Sequence, residues 1–172
     1  MDNPHRLPRT VIPKRYALTL APDLAAATFG GAVDIEVEVG STTDQVVLNA
    51  VELEIDDAWV VVGTTRHDAT VSLDPEAERA ILRLPEAIPP GDAVVSLRYR
   101  GQLNDKLRGF YRSTFIDDEG TERVIATTQF EATDARRAFP CWDEPDLKAR
   151  FTITLELDDD LHAVSNAAIV AD

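Results

Sequence analysis

Apolar and polar residues alternate with a period of two along most of this chain. The clearest run sets Val33, Ile35, Val37 and Val39 against Asp34, Glu36 and Glu38, as expected of a strand with one buried and one wet face. Tyr16, Leu18 and Leu20 alternate in the same way and stop at Pro22-Asp23. Further short strands are expected over 46–48, 53–55, 59–62, 70–73, 79–84 and 93–99, separated by turn-forming Gly, Pro, Asp and Asn. Residues 1–15 hold Pro4, Pro8 and Pro13. Because proline cannot donate to a ladder, they read as an extended arm. No long amphipathic helix is visible. The pattern predicts an all-β chain, an antiparallel β-sandwich with at most short helical turns.

Beyond Gly101 a polar loop leads to adjacent aromatics at Phe110-Tyr111, a hairpin turn near 115–120, and extended chain over 124–131. A short helical turn is expected at 146–149, capped by Asp143 or Glu144 with Pro145 in its first turn. Phe151, Ile153, Leu155 and Leu157 predict a last alternating strand, with room for another over 162–169.

One stretch breaks the alternation. Residues 127–145 crowd charges, aromatics, two prolines and the only cysteine into a run that neither strand nor helix periodicity explains. Within it Gln129 and Glu131 project from one face of a strand, with Phe130 opposite. A carboxylate beside a carboxamide can hold an ammonium group and a neighbouring peptide unit. The same spacing also fits the wet face of an ordinary strand. Asp134, Arg136 and Arg137 with Asp143 and Glu144 could pair as an ionic brace. Phe139, Pro140, Cys141 and Trp142 would then form an apolar plug, with Cys141 a buried, inert thiol.

Composition narrows the partners. The chain has 172 residues, enough for one domain with a real core, and a formal charge of −14. That charge disfavours nucleic acid and anionic membrane surfaces, and favours cationic partners such as amines. A single cysteine excludes an internal disulfide and fits a reducing compartment. The polar start, Met1 to Arg6, carries no signal-peptide core, and no apolar run reaches bilayer length. A cytoplasmic protein is expected. His5, His67 and His162 are isolated, and no cysteine pair exists, so no metal site is expected. Phosphate-binding glycine loops and nucleophile elbows are missing as well.

The run from Thr128 to Pro145 closely resembles a segment of the M1 zinc aminopeptidases, particularly those of the puromycin-sensitive and aminopeptidase N type. Leu7-Pro8 through Pro22, Gly101 through Ser113 and Val164-Ser165-Asn166 resemble neighbouring parts of the same family. The resemblance implies the family's saddle-like N-terminal β domain, which packs on a catalytic domain and serves peptide N-termini. It implies that Glu131 holds the substrate α-amine and Gln129 contacts its first residue. Asp134, Arg136, Arg137, Pro140, Cys141, Trp142, Asp143, Glu144 and Pro145 would form a structural brace. The family's HExxH and GAMEN motifs are absent, and Met1 is the only methionine. Zinc and the catalytic groups are therefore expected in a missing catalytic domain. The chain would be a C-terminally truncated single domain over 1–172, inactive alone and prone to self-association through exposed edge strands. The competing expectations are a non-catalytic M1-like scaffold for protein–protein interaction and a stand-alone sandwich binding carbohydrate or protein.

Overall fold

A computed structural model describes residues 6–171. Its strands are β1 (Val11–Asp23), β2 (Thr28–Val39), β3 (Thr43–Asn49), β4 (Leu53–Val62), β5 (Thr65–Asp68), β6 (Thr70–Asp74), β7 (Arg79–Ile88), β8 (Gly91–Gln102), β9 (Gly109–Ile116), β10 (Glu122–Gln129) and β11 (Arg150–Leu155). A six-stranded sheet runs β11-β1-β2-β8-β4-β5, and a three-stranded sheet runs β3-β7-β6. Strands β9 and β10 form a separate hairpin. The protein is all-β, as the alternation predicts.

One apolar cluster lies between the two larger sheets. Val33, Ile35, Val37 and Val39 of β2 enter it with Val95 and Leu97 of β8, and Val46, Leu48 and Leu82 come from the smaller sheet. Each such side chain contributes about 1.5–3 kcal/mol on burial, whereas an exposed ion pair contributes about 0–1 kcal/mol. The apolar face of each strand thus decides the fold, and the many surface charges decorate it. Gly31 belongs to this packing. It lies inside β2 opposite Tyr99, and a Cβ there would come within 2.3 Å of the tyrosine ring. Strand β2 therefore runs through Gly30 and Gly31 without a break.

Other boundaries differ for physical reasons. Strand β1 starts at Val11 and passes through Pro13, because a register shift between Pro13 and Arg15 absorbs the missing N–H. The separate strands expected at 53–55 and 59–62 are one strand, β4, with a bulge between Ile55 and Asp57. Strand β7 continues past Pro85 to Ile88, and β5 is too short and polar to show in the pattern. The last strand, β11, ends before Leu157 and pairs parallel with β1, matching Tyr16 to Phe151 and Leu20 to Leu155. Residues 146–149 form no helix; a single turn brings the Leu147 N–H to the Glu144 carbonyl at 3.1 Å. The helical turn lies earlier, as a 3-10 turn at Ala135–Arg137. No strand forms over 162–169. Among the described residues no helix is long and apolar enough to cross a membrane.

Candidate functional site

Strand β10 delivers Gln129 to its very end, opposite Gly109 of β9. Gly109 has φ +68°, and a Cβ there would lie 2.6 Å from the Arg137 Cβ. Glycine therefore lets the 3-10 turn close against the hairpin. The chain leaves the sheet at Phe130 and turns through 131–134, held by the Asp134 N–H donating to the Phe130 carbonyl at 2.9 Å. Extended chain was expected to reach Glu131, so this is a correction: the strand stops two residues earlier. Gln129 and Glu131 are linked by a local hydrogen bond instead, in which the Glu131 N–H donates to the Gln129 Oε1 at 3.1 Å. Both side chains are exposed. Phe130 turns inward and meets Phe139 edge-on at 5.9 Å between ring centroids. The Glu131–Ala132 peptide is cis.

Below this turn lie paired charges. Arg136 bonds Glu78 at 2.8 Å through Nη1 and Asp143 at 2.9 Å through Nε, with only 11% of its side chain exposed. Arg137 bonds Asp134 at 2.7 Å and lies 2.7 Å from Glu52. Glu144 does not join either arginine. It accepts from the Leu7 N–H and from the Arg9 guanidinium, and Arg9 also reaches Asp146. Pro145 is exposed in the turn that follows.

The apolar part of the segment is buried. Ala138, Phe139, Pro140, Cys141 and Trp142 all lie inside. Cys141 exchanges two backbone hydrogen bonds with Asn49, at 2.7 and 3.0 Å. The Trp142 N–H donates to the Tyr16 hydroxyl at 3.1 Å. Burial, reinforced by the nearby Asp143 charge, pushes the Cys141 thiol well above its ordinary value. Burial does the same to the Tyr16 hydroxyl. Neither is a nucleophile at neutral pH.

Glu52, Glu78, Asn49, Arg9 and Tyr16 are the partners that sequence reasoning missed. Glu52 and Glu78 take left-handed φ values of 59° and 53°, which non-glycine residues seldom adopt. Nothing in local pattern marks them, since they reach the segment across the fold. Arg9 had a local sign, being a cation in a proline-rich arm with no acid beside it.

Within 129–146 the acids divide sharply. Asp134, Asp143, Glu144 and Asp146 each pair with an arginine. Glu131, among the described residues, has no cation at its carboxylate. An exposed, unpaired carboxylate with a carboxamide two residues away is suited to an external ammonium group.

Comparison with known proteins agrees with this architecture. The chain matches the model of the peptidase M1 N-terminal domain over residues 12–171, and it belongs to that family. It is 46% identical over 165 residues to Aminopeptidase M1-D of Oryza sativa subsp. japonica, covering 96% of this chain and 19% of the relative. Aminopeptidase M1 of Arabidopsis thaliana is 45% identical over 170 residues, with the same shares. The puromycin-sensitive aminopeptidase of Caenorhabditis elegans is 37% identical over 169 residues, covering 97% of this chain and 18% of that protein. The chain thus spans about a fifth of the length of the curated relatives it matches.

Proposed function

We propose that this domain supplies the wall that grips the free amino end of a peptide in a zinc aminopeptidase whose other parts lie outside these 172 residues. The unpaired Glu131 carboxylate carries the reading, in a segment where every other acid pairs with an arginine of this chain. Glu131 accepts hydrogen bonds from the substrate ammonium, and Gln129 orients the first residue through its side-chain amide. Phe130 and the segment from Asp134 to Pro145 act as the brace that fixes the Glu131 turn, so that the carboxylate is in place before substrate arrives.

Among the described residues no three His, Cys, Asp or Glu stand together to hold a metal. The residues present do not fit zinc, and the proposal assigns it to the catalytic part of the enzyme. This domain's share of the reaction is binding and orientation. The purified chain is expected to leave an aminoacyl-anilide uncut, and chelator-sensitive cleavage that tracks the protein would refute that. We also place the domain in the cytoplasm, where a lone buried thiol is stable; recovery of the native protein only in an organelle fraction would refute this.

The decisive test uses a complete polypeptide containing this domain. Glu131→Ala removes one charge-assisted hydrogen bond, worth about 1.5–3 kcal/mol, so kcat/KM falls about 10- to 150-fold. The loss should vanish for substrates lacking a free amine. Equal kinetics for wild type and variant on amine-bearing substrates would remove Glu131 from the site.

A further inference from the structure

Left-handed backbone is concentrated around the turn that carries Glu131. Among the described residues four non-glycine positions have positive φ: Ala27, Glu52, Glu78 and Leu107. Glu52 and Glu78 both reach Arg137, and Leu107 lies two residues before the Gly109 that packs against it. Such backbone is costly, persists where the surroundings dictate it, and clusters at functional sites.

Glu52 makes the most connections. The Val51 N–H beside it donates to the Arg136 carbonyl at 3.1 Å, which anchors its backbone to the segment. Its carboxylate lies 2.7 Å from Arg137 Nη1 and 3.6 Å from Arg108 Nη2. These two arginines flank Gly109, Arg108 along the chain and Arg137 across space, and Gly109 pairs with Gln129. Arg137 Nε donates to Asp134 at 2.7 Å, and the Asp134 N–H closes the turn on the Phe130 carbonyl at 2.9 Å. Glu131, Ala132 and Thr133 are all exposed, so the turn is held from its ends alone.

We propose that Glu52 is a positioning residue for the amine grip. By bridging Arg108 and Arg137 it fixes the Glu131 turn against the end of the hairpin, without touching substrate. The inference rests on the reading of Glu131 as the ammonium acceptor. Charge acts in the same direction. Asp134, Glu52 and Glu78 together match the Arg137 guanidinium, which leaves Glu131 open to an external cation. Without Glu52 the Asp134 end loosens, and unmatched positive charge sits on the turn that carries Glu131. Both effects weaken ammonium binding. The Glu52 side chain is 51% exposed, so its ion pairs add little to global stability. Positioning and folding can therefore be separated.

The test uses a complete polypeptide containing this domain and two variants. Glu52→Gln keeps the shape and removes the charge. Glu52→Gly removes the carboxylate but suits a φ of 59°, so it relieves the backbone while losing the bridge. Both should melt like the wild type and lose about 3- to 30-fold in kcat/KM on amine-bearing substrates, with no loss on substrates lacking a free amine. In a Glu131→Ala background, adding Glu52→Gln should cost less than about twofold, because the residue it positions is gone. Hydrogen exchange at the Asp134 amide should quicken in both Glu52 variants. Wild-type kinetics in the two variants overturn the proposal. So does a full additional loss in the Glu131→Ala background, or a loss in Glu52→Gln that follows its melting temperature while Glu52→Gly stays active. If Glu131→Ala is itself silent, the amine grip fails and this role fails with it. An active grip indifferent to Glu52 removes only the positioning role.

Discussion

At the scale of single residues, neighbouring charges serve opposite ends. Arg136 has no freedom left: Glu78 and Asp143 hold its guanidinium, its backbone carbonyl accepts from the Val51 N–H at 3.1 Å, and Asp143 is itself only 15% exposed. Replacing it with methionine keeps the bulk but strands the largely buried Asp143 carboxylate and leaves Glu78 with Arg137 alone, at 3.5 Å. Arg136→Met is expected to cost about 1–3 kcal/mol, seen as a lower urea midpoint with an unchanged slope. Arg136→Lys should recover less than half, since an ammonium cannot bridge both acids with a planar fork. A variant as stable as the wild type would show that the pairing is incidental. That Asp134, the two arginines and Asp143 would find counter-charges was legible from their density in the chain. The partners were not, because Glu52 and Glu78 arrive from distant turns in a left-handed conformation. Nor was the end of β10 at Gln129 visible, since the turn there is made by a side-chain amide and not by glycine or proline.

At the scale of elements, the β9–β10 hairpin pairs with neither larger sheet. A two-stranded ribbon is marginal in water without help, and its tip is held by Asp117. That carboxylate accepts from Arg123 Nε at 2.8 Å and from the N–H groups of Thr121 and Glu119 at 2.8 and 3.0 Å. The Arg123 hydrogen bond, with the Thr121 amide after it, holds the carboxyl below its ordinary 3.8. A depressed folded value means the contribution is complete above the unfolded value and is lost as pH falls through the folded one. Carbon-detected NMR titration should place the Asp117 midpoint below 3.8. Arg123→Ala should move it back toward that value, with faster amide exchange at Thr121. An unmoved midpoint would mean that Arg123 is not the cause. Here the sequence was informative in part: a hairpin turn was expected near 115–120 and extended chain over 124–131, but β9 read only as a polar loop with adjacent aromatics. What it could not show was where bulges let one strand pass through a proline, as at Pro13, or join two apparent strands, as in β4.

For the whole molecule, the question is what couples two sheets that share a core but no ladder. The segment from Arg136 to Glu144 does so at one end. Tyr16 of the large sheet receives the Trp142 N–H, the arm before β1 is tied to Glu144, and Asn49 at the end of β3 binds Cys141 through its backbone. Asn49 is a nearly buried polar residue, 6% exposed. Its Oδ1 accepts from the Asp143 N–H at 3.2 Å, and its Nδ2 donates to the Glu78 carbonyl at 3.4 Å. Long-range ties of this kind leave no trace in periodicity, which explains why the layers of the fold were legible and the parallel docking of β11 was not. If Asn49 is the suture, Asn49→Ala should cost about 1–3 kcal/mol by leaving the Asp143 N–H without its acceptor. It should also speed hydrogen exchange at Asp143 and Trp142 by about 10- to 100-fold, while amides in the middle of β2 and β8 keep their protection relative to global stability. Uniform loss across all of these amides would instead mean that the segment and both sheets open only together.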